Sequence, residues 1–301
     1  MANSTAAAEV LTTRSRRKRD LWKGIKGFAK HEPVGFVCAL IIIVFMFVAI
    51  FSPMLRPYPE NAIVGDRLEA PSASHLFGTD HLGRDVLSRV ITGSLVSLLV
   101  GFFAVGIGIV SGAALGISSA YIGGKFDLYV QRFVDAKQAM PTLVLAMILV
   151  TLMGTGMWAA VIAIGILGIG GGSRVVRSSV LSVKEEMYVE AARAIGASTP
   201  RIMIHHILPQ VTPLLIVLAS ISIPGAITTE ASLSFLGLGV QPPAPSWGNM
   251  LSGPGRAYMV NAPWLILAPG IALSLVVLAY NMLGDSLRDV LDPRLRGSRK
   301  S

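Results

Sequence analysis

The side chains able to do chemistry in this chain are few and scattered. His75 and His81 stand in a polar stretch, and His205 and His206 form a second pair. Imidazoles are common metal ligands, but adjacent residues on a helix point about 100° apart, so 205 and 206 do not readily share one ion. Histidines in a polar loop are read as solvated or hydrogen-bonded, and no metal site is expected. Cys38 is the single cysteine and lies in an apolar run, which excludes an intramolecular disulfide and a cysteine-based metal site. No Gly-x-x-x-x-Gly-Lys-Ser/Thr run occurs, so the chain is not expected to cradle a nucleotide phosphate. Glu230 is the acid that invites attention. It ends an apolar run, and an ionisable group near membrane depth faces a possible pore or cavity, or else lies at the interface as a helix-end residue.

One polar stretch has a clear local design. Glu190, Ala191, Ala192, Arg193 and Ala194 favour helix, and Gly196 can close it in the left-handed conformation at little steric cost. Ser198 or Thr199 can cap a second helix that starts at Pro200, where a missing N–H costs nothing. Leu208-Pro209 is expected to end it. The spacing predicts two short helices joined at a corner.

The elements that must position these residues are apolar. The 301 residues are 52% hydrophobic and 14% charged, with a mean hydropathy of +0.64, which is more apolar surface than a soluble core of this size needs. The net charge of +9 does not indicate nucleic acid, because the basic residues are not interleaved with exposed aromatics and instead flank apolar runs. Six spans are expected, at about 34–51, 91–120, 140–153, 157–169, 211–229 and 264–283. The third and fourth are short, with a single re-entrant hairpin as the alternative. Run 34–51 is longer than a signal-peptide core and lacks a small-x-small cleavage site, so it is read as an uncleaved helix. Thr79 could cap a short helix in the first outer loop, and Asp80 with Arg84 has the favourable acid-first spacing. Gly108, Gly112 and Gly116 recur every four residues, which places them on one face for close helix packing.

Under this arrangement Lys and Arg number eight in the first tail, three in 121–138, five in 173–210 and five in the last tail, against four and one in the two outer loops. The positive-inside rule then places both termini in the cytoplasm. The expected organisation is a cytoplasmic basic tail at 1–33, a first transmembrane segment at 34–55 and an extracytoplasmic loop at 56–90. A core domain with five spans follows at 91–285, containing a cytoplasmic loop at 173–210, and a cytoplasmic tail ends the chain at 286–301.

The order Glu-Ala-Ala, three residues, Gly, then Ile-Leu-Pro resembles the cytoplasmic "EAA" loop of permease subunits in binding-protein-dependent ABC importers. His206 stands where Ile is common in the wider family. Residues 75–89, 230–251 and 279–294, with Phe-Gly-Thr-Asp, Glu-Ala-Ser-Leu-Ser-Phe-Leu-Gly-Leu-Gly and Asn-Met-Leu-Gly-Asp, are similar to the second permease subunit of dipeptide, oligopeptide and nickel transporters. Residues 251–255, Leu-Ser-Gly-Pro-Gly, superficially match an ABC ATPase signature but fall in an outer loop and are a coincidence.

The resemblance implies an all-α polytopic membrane protein of the type I ABC importer permease fold, in the bacterial cytoplasmic (inner) membrane. It implies that Glu190, Ala191, Ala192, Gly196, Ala197 and Ser198 belong to a loop that docks on an ATPase. The implied partners are a homologous permease, two ATP-binding subunits that hold ATP and Mg, and an extracytoplasmic substrate-binding protein. The chain itself needs no cofactor and is not an enzyme. Di- or oligopeptides are the expected cargo, with nickel, glutathione or opines as alternatives within the branch. An ion-coupled secondary transporter is the rival of another class; it would be expected to carry several intramembrane carboxylates or histidines, and these spans have almost none.

Overall fold

A computed structural model describes residues 29, 30 and 32–291; the remainder of the two basic tails lies outside the described residues. Helix α1 (Pro33–Ile50) starts on a proline at its first turn and contains no charge. After a helical turn at Ser52–Leu55 and the irregular loop expected to lie outside comes α2 (Val86–Ile122), then α3 (Gly124–Gln138), α4 (Thr142–Met153), α5 (Met157–Val183) and α6 (Met187–Ala194). Helix α7 (Thr199–Ile202) passes through a π turn (Met203–Ile207) into α8 (Leu208–Phe235), and α9 (Trp247–Leu251) and α10 (Trp264–Leu291) follow. Among the described residues no strand forms beyond two isolated bridges, Ile63 with Arg84 and Thr79 with Asp85.

Five helices are long and apolar enough to cross a membrane, and the pair α3 and α4, bent by 95°, makes up to six. At about 1.5 Å per residue α4 alone is roughly 18 Å long, short of a hydrocarbon core of about 30 Å. The expected end of the fourth run at 169 is too early, since α5 continues to Val183 and takes in residues 173–183 of the expected loop. Glycines 168 and 170–172 weaken helix in isolation, but here Gly168 and Gly172 approach Gly108 of α2, and Gly170 makes room for Lys137 of α3. A methyl group added at Gly112 would lie 3.0 Å from the Ile169 carbonyl oxygen, and one at Gly116 only 2.6 Å from that of Ser173. The glycine face of α2 therefore packs on α5 of the same chain, backbone to backbone.

At the start of α2 the cap is Asp85, whose carboxylate accepts from the Ser88 N–H at 2.8 Å. No helix begins at Thr79. Its hydroxyl is spent across the loop, donating to the Asp66 carbonyl at 2.5 Å and accepting from the Glu69 N–H at 2.9 Å. Asp80 and Arg84 do pair, with Nε 2.6 Å from Oδ2. Helix α1 lies against α10 through Cys38, Ile42 and Ala279.

Candidate coupling surface

The corner seen in the sequence forms as two helices. Helix α6 closes at Gly196, which has φ +84°, and α7 begins beside Ser198 with Pro200 in its first turn. Ser198 takes the capping position without a side-chain cap bond. Leu208-Pro209 does not end the second helix. The π turn carries the chain through, with the Leu208 N–H donating to the Met203 carbonyl, so the proline falls in the first turn of α8 where its missing N–H is tolerated.

Helix α6 has two unlike faces. Val189 and Ala192 are buried with Ile117, Ala120, Val176, Val180, Ile202, Ile207 and Val211, a cluster formed where α2, α5 and α8 converge. Glu190, Ala191 and Ala194 are exposed. Beside them Met187 is 82% exposed and Ile195 86%. The two alanines of the motif thus do different things: Ala192 anchors the helix to its own chain and Ala191 faces away from it. Met187 and Ile195 were not singled out from the sequence; the signal available was that both are large apolar residues in an otherwise polar segment.

Side chains tie α6 to the bundle at several points. The Arg193 guanidinium stacks 5.6 Å from the centroid of the Tyr121 ring at the end of α2. Tyr188 lies 6.5 Å, ring to ring, from His206 of the π turn, and burial raises its phenol above the ordinary value, with Glu186 adding to the effect. Lys184 Nζ donates to the Ala120 carbonyl at 3.4 Å. Behind these contacts Arg177 of α5 grips Asp127 of α3 through Nε at 2.7 Å and a second nitrogen at 2.5 Å, and Ser119 of α2 donates to the same carboxylate. A push on α6 therefore meets α2, α3, α5 and α8 together.

Glu230 sits inside the helix packing. It is fully buried where α2, α8 and the second outer loop meet. Ser234 donates to Oε1 at 2.7 Å while accepting from the Val240 N–H, and Ser97 donates to Oε2 at 3.3 Å while accepting from the Trp247 N–H. Each carboxylate oxygen is joined through a serine to a loop amide. The Trp247 ring is fully buried beside this knot, its Nε1 donating to the Val90 carbonyl at 3.1 Å. From sequence only the acid was singled out: Ser234, four residues on along the same helix, was a local signal that was missed, while Ser97 comes from the distant α2.

The histidines are distributed as hydrogen-bonding groups. His75 is buried with Nδ1 3.1 Å from Asp85 Oδ1. Burial lowers the His81 imidazole below its ordinary value despite the opposing charge of Asp80, which favours the neutral ring. His205 is exposed, with Nδ1 3.3 Å from the Arg201 carbonyl. Among the described residues no group of three or more His, Cys, Asp or Glu side chains is placed to hold a metal ion.

Residues 108–297 match the family described as "Binding-protein-dependent transport system inner membrane component". The chain is 42% identical over 277 residues to the dipeptide transport system permease protein DppC of Alkalihalophilus pseudofirmus, covering 91% of this chain and 90% of that protein. It is 40% identical over 285 residues to the glutathione transport system permease protein GsiD of Pectobacterium atrosepticum, covering 94% of each. Among solved structures it is similar to a chain of the MetNI methionine ABC transporter in an inward-facing conformation, with a TM-score of 0.56 and 19% identity over 68% of this chain and 96% of that one. That last likeness is one of fold.

Proposed function

The chain belongs to the family of binding-protein-dependent transport system inner membrane components, and on that premise we propose that it carries di- or oligopeptides through an assembly driven by separate ATP-binding subunits. It is a multi-pass inner-membrane permease subunit of an ABC importer. The rest of the assembly comprises a homologous permease, two subunits that bind ATP with Mg, and an extracytoplasmic binding protein that delivers the cargo. Support for the peptide cargo comes from the dipeptide permease at 42% identity. Glutathione, itself a tripeptide, is the second reading, favoured by the relative at 40% identity.

The observation that carries the mechanism is the division of α6. Its inner face is fixed by Val189 and Ala192, while Glu190, Ala191, Ala194, Met187 and Ile195 are directed away from the chain. A small, partly apolar surface with one carboxylate fits a groove on an ATP-binding subunit, and Gly196, Ala197 and Ser198 set the angle at which it is presented. Closure of the ATP-binding subunits would push the docked helices together. ATP would then favour one of two states of the path formed between the permeases, linking hydrolysis to transport through that contact.

The experiment is uptake of a labelled dipeptide into vesicles holding the whole assembly. ATP with a collapsed ion gradient should sustain uptake, and a gradient without ATP should not; the reverse outcome would assign the chain to ion-coupled carriers.

A further inference from the structure

We propose that Lys137 binds the terminal carboxylate of the cargo within the translocation path, an inference that rests on the peptide reading above. Three adjoining cavities of about 440, 290 and 460 Å³ form one groove between α4, α5 and α8 that reaches α10. They share walls: Thr142 lines all three, Ser222 the first two, and Gly225 and Thr229 the last two. The groove is polar along one side, with Gln138, Thr142, Ser222, Thr229 and Asn281 in its wall. Lys137 is the single charged side chain among the residues that line it.

The placement of that lysine is unusual. The sequence puts it with the cytoplasmic charges of 121–138, but its Nζ donates to the carbonyls of Ile166 at 3.2 Å and Leu167 at 2.5 Å, in the body of α5. Ile166 lies about 14 Å along α5 from Met157, roughly half the thickness of a hydrocarbon core of about 30 Å. Two neutral carbonyls satisfy two of the three ammonium donors and none of the charge. No carboxylate pairs with Lys137 among the described residues. A cation at membrane depth is costly and is tolerated where it faces a cavity and serves a ligand. The remaining donor and the full positive charge lie beside Gln138, Thr142 and Ser222 in a groove whose other walls are largely apolar and hold no carboxylate. The complementary group is an anion small enough to pass, and every peptide with a free C-terminus carries one.

The test compares a tripeptide with its C-terminal amide. Uptake of each is measured in proteoliposomes holding the complete assembly, with the binding protein saturated by the peptide under study. The same binding protein serves wild type and variant, so its own selectivity cancels when their acid-to-amide ratios are compared. In Lys137→Gln the side-chain amide can still donate to the α5 carbonyls, but the charge is gone. The ratio should fall about tenfold, the effect of losing one charge-assisted hydrogen bond. Lys137→Arg should keep most of the preference, and Lys137→Met should lose it as Gln does. An unchanged ratio in Lys137→Gln would overturn the proposal. That holds if uptake is intact, and also if acid and amide fall equally, as they would were Lys137 only a brace on α5 or the partner of an acidic group on the second permease. A wild-type assembly that imports neither peptide would instead overturn the peptide reading, and this inference with it.

Discussion

The two ends of the bundle are built on opposite principles. At the outer end polar groups are satisfied inside the chain: His75 bonds Asp85, Asp85 caps α2, and Glu230 collects two serines that each hold a loop amide. At the inner end α6 is held by Val189 and Ala192 in a buried apolar cluster, by Arg193 over the Tyr121 ring and by Tyr188 beside His206, and its outward residues Met187 and Ile195 are left bare. The outer end also exposes Met54, Ile63, Leu76 and Val260, so its bracing lies in this polar network and not in a closed apolar surface. The surface of α6, with Met187 and Ile195 bare, is the one we propose another protein completes. We therefore propose a braced outer end and a transmitted contact at the inner one.

The contrast between the two ends breaks most readily at Glu230. Glu230→Ala leaves the hydroxyls of Ser97 and Ser234 buried without their acceptor, at a cost of about 1–3 kcal/mol for each group so orphaned. Of the substitutions proposed for the two ends, it should lower the melting temperature of the detergent-purified chain the most, and Glu230→Gln, which keeps an acceptor oxygen, should lower it less. Equal melting temperatures for Glu230→Ala and wild type would remove the claim that the outer end is internally braced.

Ala192→Arg comes next. A long charged side chain forced among Val176, Val180 and Ile207 overfills a packed site, with a cost of about 1–3 kcal/mol. Reduced abundance is expected, read by immunoblot of membranes. Asp85→Ala removes the cap of α2 and the partner of His75, for about 1 kcal/mol at the cap alone. Its effect should appear as faster proteolysis of the outer loop with the cytoplasmic side unaffected. The smallest effect on stability is expected from Ile195→Ser, which touches only exposed surface; a large fall in its melting temperature would mean that α6 packs on its own chain through both faces.

Much of the inner surface was legible in the sequence because its signals are local. Gly196 is where a left-handed residue is needed and Pro200 where a first turn tolerates it, and both took those places. What local rules could not reach was set by packing between distant segments. Gly168 and Gly172 sit within α5 where Gly108 of α2 comes close, and the π turn lets the chain run through Pro209. The two alanines of the motif differ only because α2, α5 and α8 converge beneath one of them. Thr79 was the expected cap and Asp85 the actual one: the Thr79 hydroxyl is taken by Asp66 and Glu69, while Asp85 has two oxygens, one for the Ser88 N–H and one for His75. Lys137 counted as a cytoplasmic charge by its neighbours in sequence, yet a long flexible stem lets it reach the carbonyls of another helix.

The central claim is that the outward face of α6 is the contact through which ATP-binding subunits act. Its most direct measurement is the amount of ATP-binding subunit that co-purifies with the Ala191→Arg chain from cells in which that chain reaches wild-type abundance in the membrane. Normal insertion is expected, because Ala191 is exposed and touches no span, together with loss of the ATP-binding subunit from the purified assembly and loss of uptake. Full recovery of that subunit with an abundant Ala191→Arg chain would contradict the claim and leave this corner a connector between helices.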